Sequence, residues 1–150
     1  MNNSTVQKIQ LEIEQIDTLL SEAEPLLKLC KLKTPDFIER SAAALLLHSF
    51  YNGLENILSI IMKETDQKLP DGLKWHKELL DTAFTANAKR SEIFRKELQE
   101  ILSEYLAFRH FLRHTYGFKI SWARMENPVN NLESVWLSLK EDIARFIKRN

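Results

Sequence analysis

Thr34-Pro35-Asp36-Phe37-Ile38-Glu39-Arg40-Ser41-Ala42-Ala43-Ala44-Leu45-Leu46-Leu47 is the stretch that decides the fold. Thr34 reads as a helix N-cap and Pro35 as the first helical residue, where a missing N–H costs nothing and the ring already sets a helical φ. The run Ala42–Leu47 is apolar nearly all round, unlike the stripe of a surface helix. A helix opened at Pro35 and running to about Thr65 is therefore predicted at the centre of a bundle.

The flanks supply its neighbours. Val6, Ile9, Ile13, Ile16 and Leu20 step by three or four, the spacing of an amphipathic helix that runs to about Ala23. Pro25 kinks or restarts it, and a short turn follows to about Leu32. Beyond the central helix, Lys68-Leu69-Pro70-Asp71-Gly72 reads as a loop. A third helix covers about Leu73 to Thr85, and a fourth runs from about Lys89 to Thr115 with Gly117 as its C-cap. Asn127-Pro128-Val129-Asn130-Asn131 reads as another loop before a last amphipathic helix carrying Leu132, Val135, Trp136, Leu139, Ile143 and Phe146. Five helices and no strand predict an all-α, antiparallel helical bundle with short connections, a single domain over residues 1–150.

Composition narrows the function classes. Lys plus Arg and Asp plus Glu are 21 each, so net charge gives no ground for indiscriminate binding of polyanions. The one cysteine, Cys30, excludes an internal disulfide and reads as a packed thiol in a reducing, cytoplasmic setting. The polar start, Met1-Asn2-Asn3-Ser4-Thr5, does not resemble a signal peptide. The longest apolar candidate, Ser41 to Met62, is broken by His48, Asn52, Gly53, Glu55 and Asn56, so no membrane partner is expected.

Charge is balanced globally but not locally. Between Glu104 and Glu126 there is no carboxylate, while Arg109, Arg113, Lys119 and Arg124 are all cationic and His110 and His114 can join them. Phe108, Phe111, Tyr116, Phe118 and Trp122 are interleaved with these charges, a mixture that suits RNA, with its phosphates and stackable bases. The same cluster could instead pair with carboxylates of another helix. Arg109 is the sharpest point of the pattern. Leu98, Leu102 and Tyr105 form a buried helical stripe that continues through Arg109, Leu112 or Arg113, and Tyr116. A buried arginine is costly unless it is paired or faces a wet cleft.

Other chemistries find less support. His110 and His114 have the i, i+4 spacing of two metal ligands, but no glutamate stands beside the pair, so no metal and no cofactor is expected. His48 lies in an apolar run and reads as a hydrogen-bonded core histidine, and Trp75-His76 as packing plus capping. No Gly-flanked serine and no phosphate-binding glycine loop occurs, which excludes nucleophile-elbow hydrolases and P-loop or dinucleotide folds.

From Arg109 to Tyr116 the chain reads Arg, four residues, His, one residue, Tyr. This resembles the signature of the HEPN superfamily, and specifically of the HepT toxins of HEPN/MNT toxin–antitoxin pairs. Tyr51-Asn52-Gly53-Leu54-Glu55, Gly72-Leu73-Lys74-Trp75-His76-Lys77-Glu78-Leu79-Leu80 and Phe108-Arg109-His110-Phe111-Leu112-Arg113-His114-Thr115-Tyr116-Gly117 resemble that family's landmarks in the family's order. The residue after the arginine, often Asn or Asp in the superfamily, is His110 here.

The resemblance implies a metal-independent ribonuclease toxin, with tRNA as the RNA class, that works as a homodimer with two signature motifs across a cleft. It also implies that a cognate MNT-type nucleotidyltransferase antitoxin silences the toxin by adenylylating Tyr116. RNA cleavage without metal needs a base for the 2′-OH, an acid for the 5′-oxygen and a cation for the phosphorane. His114 is expected as general acid/base and Arg109 as the phosphate clamp, with His110, Arg113 and Lys119 as supporting RNA contacts. On a continuous helix Arg109 and His114 lie about 140° apart. They can meet if the helix ends or bends near His114, or if a second subunit supplies one of them. The alternative of a different class is a non-catalytic helical partner that binds substrate for a small nucleotidyltransferase.

Overall fold

Asp36, not Thr34, caps the central helix. Its carboxylate accepts from the Glu39 N–H at 2.8 Å, and the Glu39 carboxylate accepts from the Asp36 N–H at 2.9 Å. This reciprocal box satisfies two helix-end donors at once, more than Thr34 before a proline can offer. The helix therefore begins at Phe37. The computed structural model describes residues 1–150, except for the side chain of Phe118, so that member of the aromatic set lies outside the described residues.

Six α-helices make the bundle: α1 (Asn3–Leu32), α2 (Phe37–Thr65), α3 (Trp75–Ala83), α4 (Gln99–Arg113), α5 (Trp122–Asn130) and α6 (Leu132–Arg149). The short connection between the first two folds α2 back along α1, and that pair makes the most extensive helix contact of the fold. α2 also packs on α3, α4 and α5. It buries Ala43, Leu47, Phe50, Leu54, Ile57, Leu58 and Ile61, but Ala42 and Leu45 of the apolar run face solvent, so the run is buried on one side and not all round. At Gly53 the two long helices come so close that an added Cβ would stand 2.9 Å from Cδ1 of Ile16.

Three departures from the sequence reading have physical causes. α1 does not stop near Ala23 but runs through Pro25 to Leu32. Pro25 is exposed, so the carbonyl it leaves unbonded can turn to water, while Leu20, Leu27 and Cys30 bury the opposite face. A proline in a helix costs roughly 3 kcal/mol, and one fully buried leucine already returns about 1.5–3 kcal/mol. The second departure is α5, which takes in Asn127–Asn130, residues whose sequence reads as loop. Pro128 stands within it, and the Tyr105 hydroxyl donates to the Pro128 carbonyl at 2.6 Å, tying the helix to α4.

The third departure lies between α3 and α4, where helix was expected from Lys89. The chain is instead irregular, with an isolated bridge between Asn87 and Arg90 and a 3-10 turn at Lys96–Leu98. Two arginines hold it. The fully buried Arg90 side chain bonds Asp66 through Nε at 2.9 Å and donates to the carbonyls of Thr82, Thr85 and Ser91. Arg95 grips the buried Asp142 of α6 with its Nε and guanidinium, and its own backbone N–H bonds the same carboxylate at 2.8 Å. No helix of the structure is long and apolar enough to cross a membrane.

Burial works against the charge on Asp66 and Asp142, but the hydrogen bonds from Arg90 and Arg95 outweigh it and hold both carboxyls below the usual carboxylate range. Each binds fewer protons folded than unfolded. Their contribution is thus complete above an unfolded value of about 3.9 and is lost as pH falls through the native values. Asp142→Ala should cost roughly 3–5 kcal/mol in urea unfolding at neutral pH, because two arginines lose a buried partner. The variant should also lose less stability than the wild type on acidification. Equal acid sensitivity of the two proteins would contradict the assignment.

Candidate active site

A cleft of about 810 Å³ opens between α3 and the C-terminal half of α4. Leu73, Lys74, His76, Lys77, Leu80 and Asp81 form one wall, and Leu106, Arg109, His110, Phe111 and His114 the other. Arg124 of α5 joins them, its guanidinium 4.3 Å from the centre of the Phe111 ring. Apart from Asp81, whose carboxylate is held by Lys77 at 2.8 Å, the ionisable groups of this lining are basic.

Arg109 is half-buried on the stripe that its spacing predicts, four residues beyond the buried Tyr105. Its Nε is buried and has no hydrogen-bond partner among the described residues. The alternative of an arginine neutralised by a carboxylate on another helix finds no pair at Arg109 among the described residues. Arg109 thus brings to the cleft a positive charge that no carboxylate among the described residues is paired with, which suits an anion.

His114 reaches the same cleft because α4 ends. The last helical residue is Arg113, and His114 is the C-cap with φ −118° and ψ 20°. Its N–H bonds the Phe111 carbonyl at 3.1 Å in a tightened last turn. Gly117 is not the cap but opens a 3-10 turn at Gly117–Lys119. Arg109 and His114 of one chain therefore both line the cleft. His110 lies beside His114, ring centres 4.6 Å apart. No group of three or more His, Cys, Asp or Glu side chains able to hold a metal occurs among the described residues.

The remaining sequence-predicted residues sit elsewhere. Arg113 and Lys119 are exposed and stand outside the lining. Tyr116 is 73% exposed in extended backbone beyond the helix, so the helical periodicity that would place it over Arg109 does not extend to it. Nε2 of His48 lies 3.1 Å from the Asn52 amide, while Nδ1 is buried without a partner among the described residues.

Sequence reasoning passed over the buried partner of one cleft residue, His76. Glu55 of α2 is only 6% exposed, and its Oε2 lies 2.8 Å from Nδ1 of His76. Beside it stands Tyr51, whose hydroxyl is buried without a partner among the described residues. Burial pushes the Tyr51 phenol up, the Glu55 charge adds to this, and Arg109 partly offsets it. The signal that could have found the pair was Glu55 itself, a carboxylate on the helix face that carries Tyr51, Leu54, Leu58 and Met62 inward.

The anion reading makes a separable prediction. Arg109→Met, an apolar replacement of similar reach, should change unfolding free energy by no more than about 1 kcal/mol, since no protein partner is orphaned. Inorganic phosphate at constant ionic strength should raise the melting temperature of the wild type more than that of the variant. Equal shifts would place the anion elsewhere.

A family model described as HepT-like protein matches residues 42–150, which takes in both walls of the cleft. No curated protein and no solved structure matched the chain.

Proposed function

The chain belongs to the HepT-like protein family, and from that premise we propose that it is a ribonuclease toxin cleaving RNA, tRNA among its targets, at the Arg109/His114 cleft without a metal. The observation that carries this reading is one cleft lined both by Arg109, whose buried Nε has no partner among the described residues, and by His114 at the end of the same helix. In cleavage the 2′-oxygen attacks phosphorus and loses its proton, the bond to the 5′-oxygen breaks, and that oxygen takes up a proton. The products are a 2′,3′-cyclic phosphate and a 5′-hydroxyl. Arg109 would grip two non-bridging oxygens as charge builds on the phosphorane, and His114 would move a proton at the reacting oxygens. His110 beside it and Arg113 and Lys119 on the exposed flank would hold the strand.

A homodimer with α4 near its two-fold axis would align two such clefts along one RNA. The partner that silences them would be an MNT-type nucleotidyltransferase antitoxin, and Tyr116 its acceptor. The phenol oxygen would attack the α-phosphorus of ATP, with pyrophosphate leaving and the phenolic proton lost. The exposure of Tyr116 favours access by a second active site. The added phosphodiester charge and base would crowd a cationic segment that otherwise meets RNA.

Arg109→Ala and His114→Ala should each lower RNA cleavage by at least about 100-fold while helicity and assembly are kept. Arg109→Lys should also be poor, because an ammonium lacks the planar two-pronged grip. Cleavage should persist in excess EDTA and leave cyclic phosphate ends. Full activity in either alanine variant, or activity restored only by added zinc or manganese, would overturn the assignment.

Incubation with the antitoxin, ATP and magnesium should add adenylyl mass at Tyr116, as read by peptide sequencing, and Tyr116→Phe should escape silencing. Mass at Tyr51 or Tyr105 instead would overturn the switch.

A further inference from the structure

His114 alone leaves one proton transfer without a residue, and the far wall of the cleft holds a second histidine built for one. Glu55 stands on the inward face of α2, and a carboxylate buried there costs several kcal/mol unless it is paired. Its hydrogen-bond partner is His76, contributed by α3. The hydrogen bond takes up Nδ1 of the imidazole. With Nδ1–H donating to the carboxylate, Nε2 is left as the basic nitrogen. The Trp75 ring lies against the His76 ring, centres 3.5 Å apart and planes 31° from parallel, which fixes the imidazole plane further.

A core staple between α2 and α3 would account for the hydrogen bond, but a staple has no reason to border open space. The His76 side chain keeps 19% of its surface exposed and lines the cleft that also holds Arg109 and His114. The arrangement is carboxylate, oriented imidazole, cleft: a buried acceptor that fixes the tautomer and stabilises the imidazolium formed when the outer nitrogen takes a proton.

We propose that His76, oriented by Glu55, is the general base of the Arg109 cleft, acting on the 2′-hydroxyl while His114 acts as general acid. This rests on the ribonuclease reading above. In the step, Nε2 of His76 takes the 2′-OH proton as the 2′-oxygen bonds to phosphorus. The imidazolium of His114 gives its proton to the 5′-oxygen as the P–O5′ bond breaks. The two histidines exchange roles in hydrolysis of the cyclic phosphate, with water in place of the leaving alcohol.

The charged groups that face His76 are Glu55 from α2, Lys74, Lys77 and Asp81 beside it, and Arg109, His110 and His114 from α4, with Arg124 from α5. Glu55 is the one bonded to the ring. Replacing it with an isosteric amide keeps the shape of the contact but not the carboxylate acceptor that fixes the tautomer, so cleavage should slow.

The test maps a cut site on a tRNA pool, then uses a short RNA spanning that site and its analogue with sulfur in place of the bridging 5′-oxygen. A thiolate leaves without an acid. His114→Ala should be slow on the RNA and recover on the sulfur analogue. His76→Gln should be slow on both, by about 10²–10⁴-fold, and should lose the acid limb of the pH–rate profile. Glu55→Gln should cleave more slowly on both substrates, as a defect in the base and not the acid requires, and His76→Gln carries the test if Glu55→Gln fails to fold.

Wild-type protein that cuts while His76→Gln keeps its rate and both limbs overturns this proposal alone. Recovery of His76→Gln on the sulfur analogue would make His76 the acid and overturn the assignment of roles. Wild-type protein that cuts no RNA overturns the ribonuclease reading, and this proposal with it.

Discussion

Phe50 is where the helices meet. Fully buried in the middle of α2, its ring stands 5.4 Å from Tyr105 of α4 and 6.0 Å from Trp136 of α6, centre to centre. Each of those rings carries a polar tip that cannot be buried unbonded. Tyr105 spends its hydroxyl on the Pro128 carbonyl of α5, and Trp136 donates its indole N–H to Asp17 of α1 at 2.7 Å. Lys140 closes on the same Asp17 carboxylate at 2.9 Å. One aromatic cluster thus ties five of the six helices. The rotation of α4 is set at Tyr105, one turn before Arg109, so the packing of Tyr105 aims the arginine that lines the cleft.

The site economises on partners in a way the rest of the protein does not. Arg90 and Arg95 are each surrounded by acceptors, and their work is to hold an irregular segment in place. Arg109 has a similar degree of confinement at Nε and none of that satisfaction among the described residues. Arginines of one chain thus separate into two kinds by hydrogen-bond accounting alone. Such incomplete pairing costs stability, which is the usual signature of a position kept for something other than folding.

Periodicity made α2 and α6 legible, and the fold class with them, because their apolar residues repeat over several turns. It failed where a single residue type was asked to mark a boundary. Pro25 and Pro128 look like breaks but stand inside helices that tertiary burial holds together. Lys89–Leu98 looks helical but is bent by Arg90 and Arg95, whose carboxylate partners lie far off in sequence. At the site, the Arg109 and His114 pattern was local and could be read. The end of α4 that brings them together could be posed only as a condition. Glu55 and His76 could not be joined by any spacing rule, since their contact exists only once α3 lies across α2.

Gly53 gives the bundle a mechanical property that no polar contact supplies. With no side chain at that point, Ile16 sits in a notch of α2, and the two longest helices are keyed together near their midpoints. A key of this kind resists sliding as well as separation, because displacement by a fraction of a turn drives the Ile16 methyl into backbone. It is also a fulcrum. A tilt of about 5° there would swing the ends of α1 by roughly 2 Å at 1.5 Å of rise per residue. The Asp17 bonds to Trp136 and Lys140, one residue from the fulcrum, brace α1 against that swing from the α6 side.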